Sequence, residues 1–473
     1  IRRNDMLIFL DFPTGFLERA CALPDSSPDK KRLVQNDNFS YRRKLFAEAV
    51  RTCRRNTAMT LLFKQIPASG ILLLLWPLWV RASDAFSING YYKNFFVVFN
   101  LPDFQTAAEE QPPIGAVNSR VRLKLQYNPG SRLAFNLAYD FSPRIQDPLL
   151  FQNLPFVTGI DALGYRALDF DGRLYPGENA EVASFGILHN LDRAGLTVST
   201  TPADIIIGRQ AIAWGSARAV NPTDVIAPFS FEELDTEDRI GVDAVRVRIP
   251  LGSLSELDAG FVFGDAFHFD RSAYFARTKL YVARTDVSLL LIAFRENMLA
   301  GLDVARSIGG AGFWFEAAYV WANLLDNFSG RDSYFRYSIG VDHSLSSKTY
   351  AFIEYHFSEA GSNAPRDYLG NLARPAFTDG AVYLFGQHYL APGISYQLTP
   401  LVMLNGQALL NLTDPSAFLS PQVEYNISQN IYLSAGAYVG LGKGFQSGNL
   451  TPQFGSEFGG YPDFLYTAFR IYF

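Results

Sequence analysis

A soluble chain of 473 residues would be divided into two to four domains, yet no stretch of this one reads as a stack of α/β units. Aromatic residues reach 15%, with 40 Phe and 24 Tyr, while charged residues stop at 18%, a balance suited to a wall facing lipid. Both cysteines, Cys21 and Cys53, precede Met59, and residues 83–473 hold 27 Lys and Arg against 39 Asp and Glu, net −12, so neither a disulfide framework nor a Cys-based metal centre can be built there.

Residues 1–58 are basic, with Arg42, Arg43, Arg51, Arg54 and Arg55 close together, and they show neither a period nor a targeting pattern. They are expected to lie upstream of the true start, Met59, or to be disordered. From Met59 the pattern changes. Lys64 supplies a positive flank, Ile71 to Val80 an apolar core of about 10 residues, and Val80-Arg81-Ala82 a small-residue cleavage site. Residues 59–82 therefore read as a secretory signal peptide cleaved after Ala82 or Ala85, the core being short of the ~20 residues that a spanning helix needs.

Beyond Ala85 no apolar run reaches ~18 residues, so a bilayer can be crossed only by the strands of a closed barrel. Such strands alternate lipid-facing and lumen-facing side chains. Val121, Leu123, Leu125 and Tyr127 fall on one face, with Arg120, Arg122, Lys124 and Gln126 on the other. After Asn128-Pro129-Gly130, Leu133, Phe135, Leu137 and Tyr139 oppose Ala134, Asn136, Ala138 and Asp140, which makes a hairpin. The same separation recurs at Val245, Val247 and Ile249, at Phe335, Tyr337, Ile339 and Val341, and at Ile431, Leu433, Ala435, Ala437 and Val439. Residues 83–473 are thus expected to form an all-β, antiparallel up-and-down transmembrane barrel of about 18 strands (16 to 18) starting near Phe86. Short periplasmic turns should alternate with long extracellular loops, roughly Leu101 to Asn118, Ser142 to Ala183, Gly215 to Gly241, Glu359 to Gly380 and Gly442 to Pro462. Two stretches, Leu289 to Ile292 and Tyr383 to Leu398, alternate poorly. The chain ends on Phe473 with Ile471 and Phe469 two and four places before it, which resembles the signature that bacterial outer-membrane barrels present to their assembly machinery.

Chemistry is sparse. His189, His268, His343, His356 and His388 have no metal-ligand spacing, and no Gly-rich phosphate loop or Gly-x-Ser-x-Gly elbow occurs, so no catalytic, metal or cofactor site is expected. Charge facing lipid costs several kcal/mol, which sends Arg120, Arg122, Lys124, Arg246, Arg248, Arg277 and Lys279 to the lumen, with Arg209 as a further candidate. There they either favour anions or pair with inward carboxylates such as Asp140, Asp342 and Glu354. The long loop after Gln210 carries Trp214, Arg218, Asn221 and Asp224 and then the acidic run from Glu232 and Glu233 to Asp238. Folded inward it would narrow the lumen with its carboxylates against the basic wall; folded outward it is a surface loop.

Gly208-Arg209-Gln210, followed by Trp214-Gly215 and Arg218, resembles a motif of uncharacterised proteobacterial outer-membrane porin-like proteins and, more distantly, of the alginate-export barrels, over Asp204 to Leu251. The resemblance implies 18 strands and an Arg-lined lumen that conducts an anionic polymer, with Arg209 and Arg218 as the matching positions. Together these readings imply diffusion of small or anionic solutes, an acidic polysaccharide among them, through a partly basic lumen of an outer-membrane channel. A structural sheath around an electron carrier, a surface-binding barrel and an outer-membrane enzyme are the alternatives. The implied partners are outer-membrane lipid, the barrel-assembly machinery and the solute, with no nucleic acid; a monomer and a trimer both fit.

Overall fold

The computed structural model describes residues 85–100, 113–151, 164–168, 172–177, 183–229, 231, 233–325, 332–447 and 452–473; the expectations for residues 1–58 and 59–82 and for Glu232 lie outside them. Eighteen strands form one wall. The first six are β1 (Phe86–Asn100), β2 (Ile114–Gly130), β3 (Leu133–Gln146), β4 (Phe185–Ser199), β5 (Asp204–Gln210) and β6 (Val242–Pro250). Then come β7 (Glu256–Val262), β8 (Ala273–Val282), β9 (Thr285–Phe294), β10 (Asn297–Ile308), β11 (Ala311–Ala322) and β12 (Asp332–Ser346). The last are β13 (Thr349–Ser358), β14 (His388–Thr399), β15 (Val402–Asn411), β16 (Ser416–Ser428), β17 (Ile431–Leu441) and β18 (Asp463–Tyr472). Each pairs antiparallel with its neighbours in sequence, and β18 closes on β1 through Tyr91↔Tyr472 to Asn100↔Asp463. Closure leaves no edge, so every barrel strand has a neighbour on both sides.

Connections at one end are turns of two to five residues, such as 283–284, 309–310 and 429–430. At 309–310 both residues are glycines with positive φ (60° and 85°), the backbone that a two-residue hairpin turn requires. The other end carries the long connections, of which 211–241 and 359–387 matter most below. Strands run further than alternation alone suggested: β2 begins at Ile114 and β3 continues to Gln146.

The outer face is apolar and uncovered. Leu133, Phe135 and Leu137 are 39–42% exposed, while Ala138 and Asp140 on the opposite parity are at 3%. Two sets of outward aromatic rings flank this belt. Phe86, Tyr127 and Phe135 lie in a row by the short turns, with ring centroids 6.5 and 6.0 Å apart. Tyr337 meets Tyr355 (5.9 Å) and Phe357 (5.5 Å) toward the long loops. An apolar band between aromatic girdles is the exterior of an outer-membrane barrel, where amphipathic rings sit at the two headgroup levels. No helix among the described residues is long and apolar enough to cross a membrane.

The poorly alternating stretches have a common cause. In β9, Leu289 and Leu291 face out (54% and 52% exposed), and Leu290 and Ile292 face in, yet are buried at 4% and 0%. Their inner surface is covered by Ile212, Val225 and Ile226 of the 211–241 loop, so both faces of the strand are apolar. In β14 the outward row is Ile394, Tyr396 and Leu398, while inward Tyr389 and Ala391 pack into a second cluster with Leu384, Phe418 and Phe458.

Candidate functional site

The 211–241 loop leaves β5 and runs inside the wall, held by two inward carboxylates. Glu316 of β11 is 0% exposed and accepts hydrogen bonds from Ala217 N (3.1 Å), Asn221 Nδ2 (3.2 Å), Thr223 N (2.8 Å) and Thr223 Oγ1 (2.7 Å). Glu354 of β13 is 1% exposed and accepts from Arg218 N (2.6 Å), Ala219 N (3.2 Å), Val220 N (3.0 Å) and Trp314 Nε1 (2.8 Å). Ser338 Oγ of β12 donates to Val220 O at 2.6 Å. A loop satisfies its backbone donors in this way because water cannot reach them, and a carboxylate with several donors is the strongest acceptor available. Gly215 makes the approach feasible: its φ is +103°, and a Cβ there would lie 2.5 Å from the Glu316 carboxylate.

The predicted loop residues take distinct places. Trp214 is buried, with its ring centroid 4.7 Å from that of Phe275 and its Nε1 3.5 Å from Asp258 Oδ2. Arg218 keeps its side chain 45% exposed, pairs with Asp342 and lies over the rings of Trp314 (5.1 Å) and Tyr350 (5.7 Å). Asn221 caps the turn onto Ala217 O (3.1 Å). Asp224 is buried and paired with Arg239; burial pushes its carboxyl above the usual range, and Arg239 opposes that. Glu233 accepts a hydrogen bond from Tyr438 at its backbone carbonyl (3.5 Å).

The acidic end of the loop meets the wall of β1 and β2. Lys93 pairs with Asp235 (2.7 Å) and Glu237 (2.6 Å), Arg120 with Asp235 (3.1 Å) and Lys124 with Asp238 (3.1 Å). Burial opposes the charge of Asp238, but Arg122 and then Lys124 outweigh it and hold this carboxyl below the usual range.

Each basic side chain assigned from the sequence to the lumen or the long loop has a carboxylate partner. Arg122 bridges Asp140 (2.9 Å) and Asp192; Arg246 holds Asp258 (2.6 Å); Arg248 and Arg277 share Glu256 (2.8 and 3.3 Å); Lys279 meets Asp286 (3.3 Å). Arg209 does not front open space. At 3% exposure it is enclosed by Asp243 (2.8 Å), Leu191 O (2.8 Å) and Leu168 O, an anchor for the segment around Leu168. Arg122, at 2%, is likewise sealed between β2, β3 and β4. Arg120, Lys124, Arg218, Arg248 and Lys279 keep a third or more of their side chains accessible. Phe469, Ile471 and Phe473 lie on one parity of the last strand, with Phe473 bonded to Gly90 through both backbone groups (2.8 and 3.0 Å). Among the described residues no group of three or more His, Cys, Asp or Glu could hold a metal ion.

Glu316 is the important residue that sequence patterning did not single out. Its signal was present: one carboxylate in the otherwise uncharged run Ala311 to Ala322, where a buried charge must find donors from elsewhere in the chain.

No family model and no curated protein matches this chain. Its barrel is similar to solved porins. Acinetobacter baumannii OccAB2 shares 10% identity over 82% of this chain and 98% of its own, with a TM-score of 0.49. Pseudomonas aeruginosa OccD3 shares 9% over 82% and 91% (TM-score 0.48), and a BenF-like porin from Pseudomonas fluorescens 10% over 82% and 99% (TM-score 0.49). At such identity the likeness is one of architecture and says nothing of what this chain passes.

Proposed function

We propose that this protein is a diffusion channel of a Gram-negative outer membrane for small solutes, anionic ones among them, with the 211–241 loop as its constriction. The observation that carries the reading is the strapping of that loop to Glu316 and Glu354 inside a closed, lipid-facing wall. A device that occupies the lumen limits size, so the reading takes a small solute over an acidic polysaccharide, which would have to thread the same space. The lumen is one of paired charges: Arg218 faces Asp342, and Arg248 faces Glu256. Such pairs orient a charged solute as it passes, and a local excess of accessible arginine and lysine favours anions. Residues 59–82 as a cleaved signal peptide, and Phe469, Ile471 and Phe473 as the assembly signature, complete this reading.

Planar-bilayer recording from the purified protein tests it. Discrete conductance steps are expected, with reversal potentials in a salt gradient reporting charge preference. A protein that inserts as a folded barrel yet conducts at no voltage would refute the channel.

A further inference from the structure

Arg336 differs from every basic side chain described above. It lies on β12 beside Ala318 of β11 and Ser358 of β13, is 3% exposed, and makes one long hydrogen bond, Nη1 to Ala381 O at 3.4 Å. Its Nε and Nη2 have no partner, and neither does Ser358 Oγ, itself 1% exposed. These two nitrogens form one edge of the guanidinium, the edge that binds two acceptor positions side by side.

The carboxylates in the neighbourhood are committed elsewhere. Asp224 is paired with Arg239, Asp332 with Arg374 (3.1 Å) and Asp379 with Arg295. His356 uses Nδ1 on Ser338 Oγ (2.9 Å). Asp224 acts on Arg336 only from beyond ion-pair distance and is itself paired with Arg239, so this positive charge has no direct counter-charge in a place with little access to water, an arrangement that is strongly disfavoured for a buried guanidinium. A narrow cleft opens at this point between the wall and two inward segments, lined by Asn221, Asp224, Arg336, His356, Ser358 and Val382. It has room for about one small ion rather than a whole solute.

We propose that Arg336 and Ser358 form a binding site for one small monovalent anion, a halide or a carboxylate head, at the junction of the 211–241 loop with the 359–387 segment. The ion completes the Nε/Nη2 edge, accepts from Ser358 Oγ and joins the wall to both segments. This rests on the charge and geometry of the cleft and not on solute passage, so it stands or falls apart from the channel.

Crystals of the purified full-length protein soaked in sodium bromide and measured at the bromine edge test the site directly. An anomalous peak within hydrogen-bond distance of Arg336 Nε and Nη2 is expected, and it should vanish in Arg336→Met. Adding sodium formate to the soak separates the two sources. Loss of the peak assigns the site to carboxylates as well as halides, and a persistent peak assigns it to halides. In solution at constant ionic strength, bromide replacing a bulky sulfonate should raise the thermal midpoint of the wild type and leave Arg336→Met flat. If Arg336→Met does not fold, Ser358→Ala takes its place and should weaken the bromide response severalfold. Bromide peaks elsewhere with none at Arg336, or equal midpoint shifts in wild type and variant, overturn the proposal.

Discussion

Removing both straps, in the double variant Glu316→Ala/Glu354→Ala, should free the constriction. Seven hydrogen bonds from the loop are lost: four to Glu316 and three to Glu354. Bonds to a charged acceptor are worth ~1.5–3 kcal/mol each, which puts the gross loss at about 10 kcal/mol or more. Against it stands the conformational entropy of residues 215–223, about 1–2 kcal/mol per residue and so on the order of 10 kcal/mol in total. The two terms are of the same size. Without the carboxylates the segment no longer holds its place, although Ile212, Val225 and Ile226 still tether its flanks to the wall. Single-channel recording should then show a larger and noisier conductance than wild type, with the folded barrel intact by its heat-modifiable gel mobility. A double variant that inserts, folds and conducts like the wild type would show that this loop does not set the constriction.

Arg246→Ser/Arg248→Ser leaves Asp258 without its guanidinium partner and Glu256 with Arg277 alone, and reversal potentials should move toward cation preference; unchanged potentials would mean that these arginines lie off the pathway. Ile339→Arg puts a charge at the middle of the outward row of β12, where Ile339 is 49% exposed to lipid, and should lower folding stability in bilayers by ~2–4 kcal/mol in denaturant titrations. Glu457 sits in the 442–462 connection, where burial raises its carboxyl to about 7 from an ordinary 4.5 while Tyr389 and Phe385 N donate to it. Its folded form holds the proton longer than the unfolded form, so stability should fall as pH rises from about 4.5 to about 7 and level off above; Glu457→Gln should flatten that part of the thermal-midpoint curve. For Asp238 the sign is reversed: its contribution is present above the ordinary Asp value near ~3.9 and is lost as pH falls below it, which should release the acidic end of the loop and increase conductance noise in strong acid.

Much of this protein can be read without coordinates because a barrel wall is a local pattern. Every strand separates lipid from lumen with a period of two, so Leu133, Phe135 and Leu137 declare their face within a single hairpin. The strand number, the division into tight turns and long loops, and the outward row ending at Phe473 follow from the same rule. The alternation failed at Leu290 and Ile292 because their partners, Val225 and Ile226, lie far away in sequence. The site itself is non-local. Asn221 reaches Glu316 across 95 positions and the Arg218 amide reaches Glu354 across 136, spacings that no periodicity encodes. Sequence by itself predicts that the charges of the strands face inward, since lipid disfavours the alternative. Only the tertiary structure decided how they are compensated: Arg246 and Arg248 by neighbouring strands, Lys93 and Lys124 by the inward loop, Arg209 by a sealed anchor, and Arg336 without a hydrogen bond to any carboxylate. Compensation depends on distances of a few ångströms between groups that folding alone brings together.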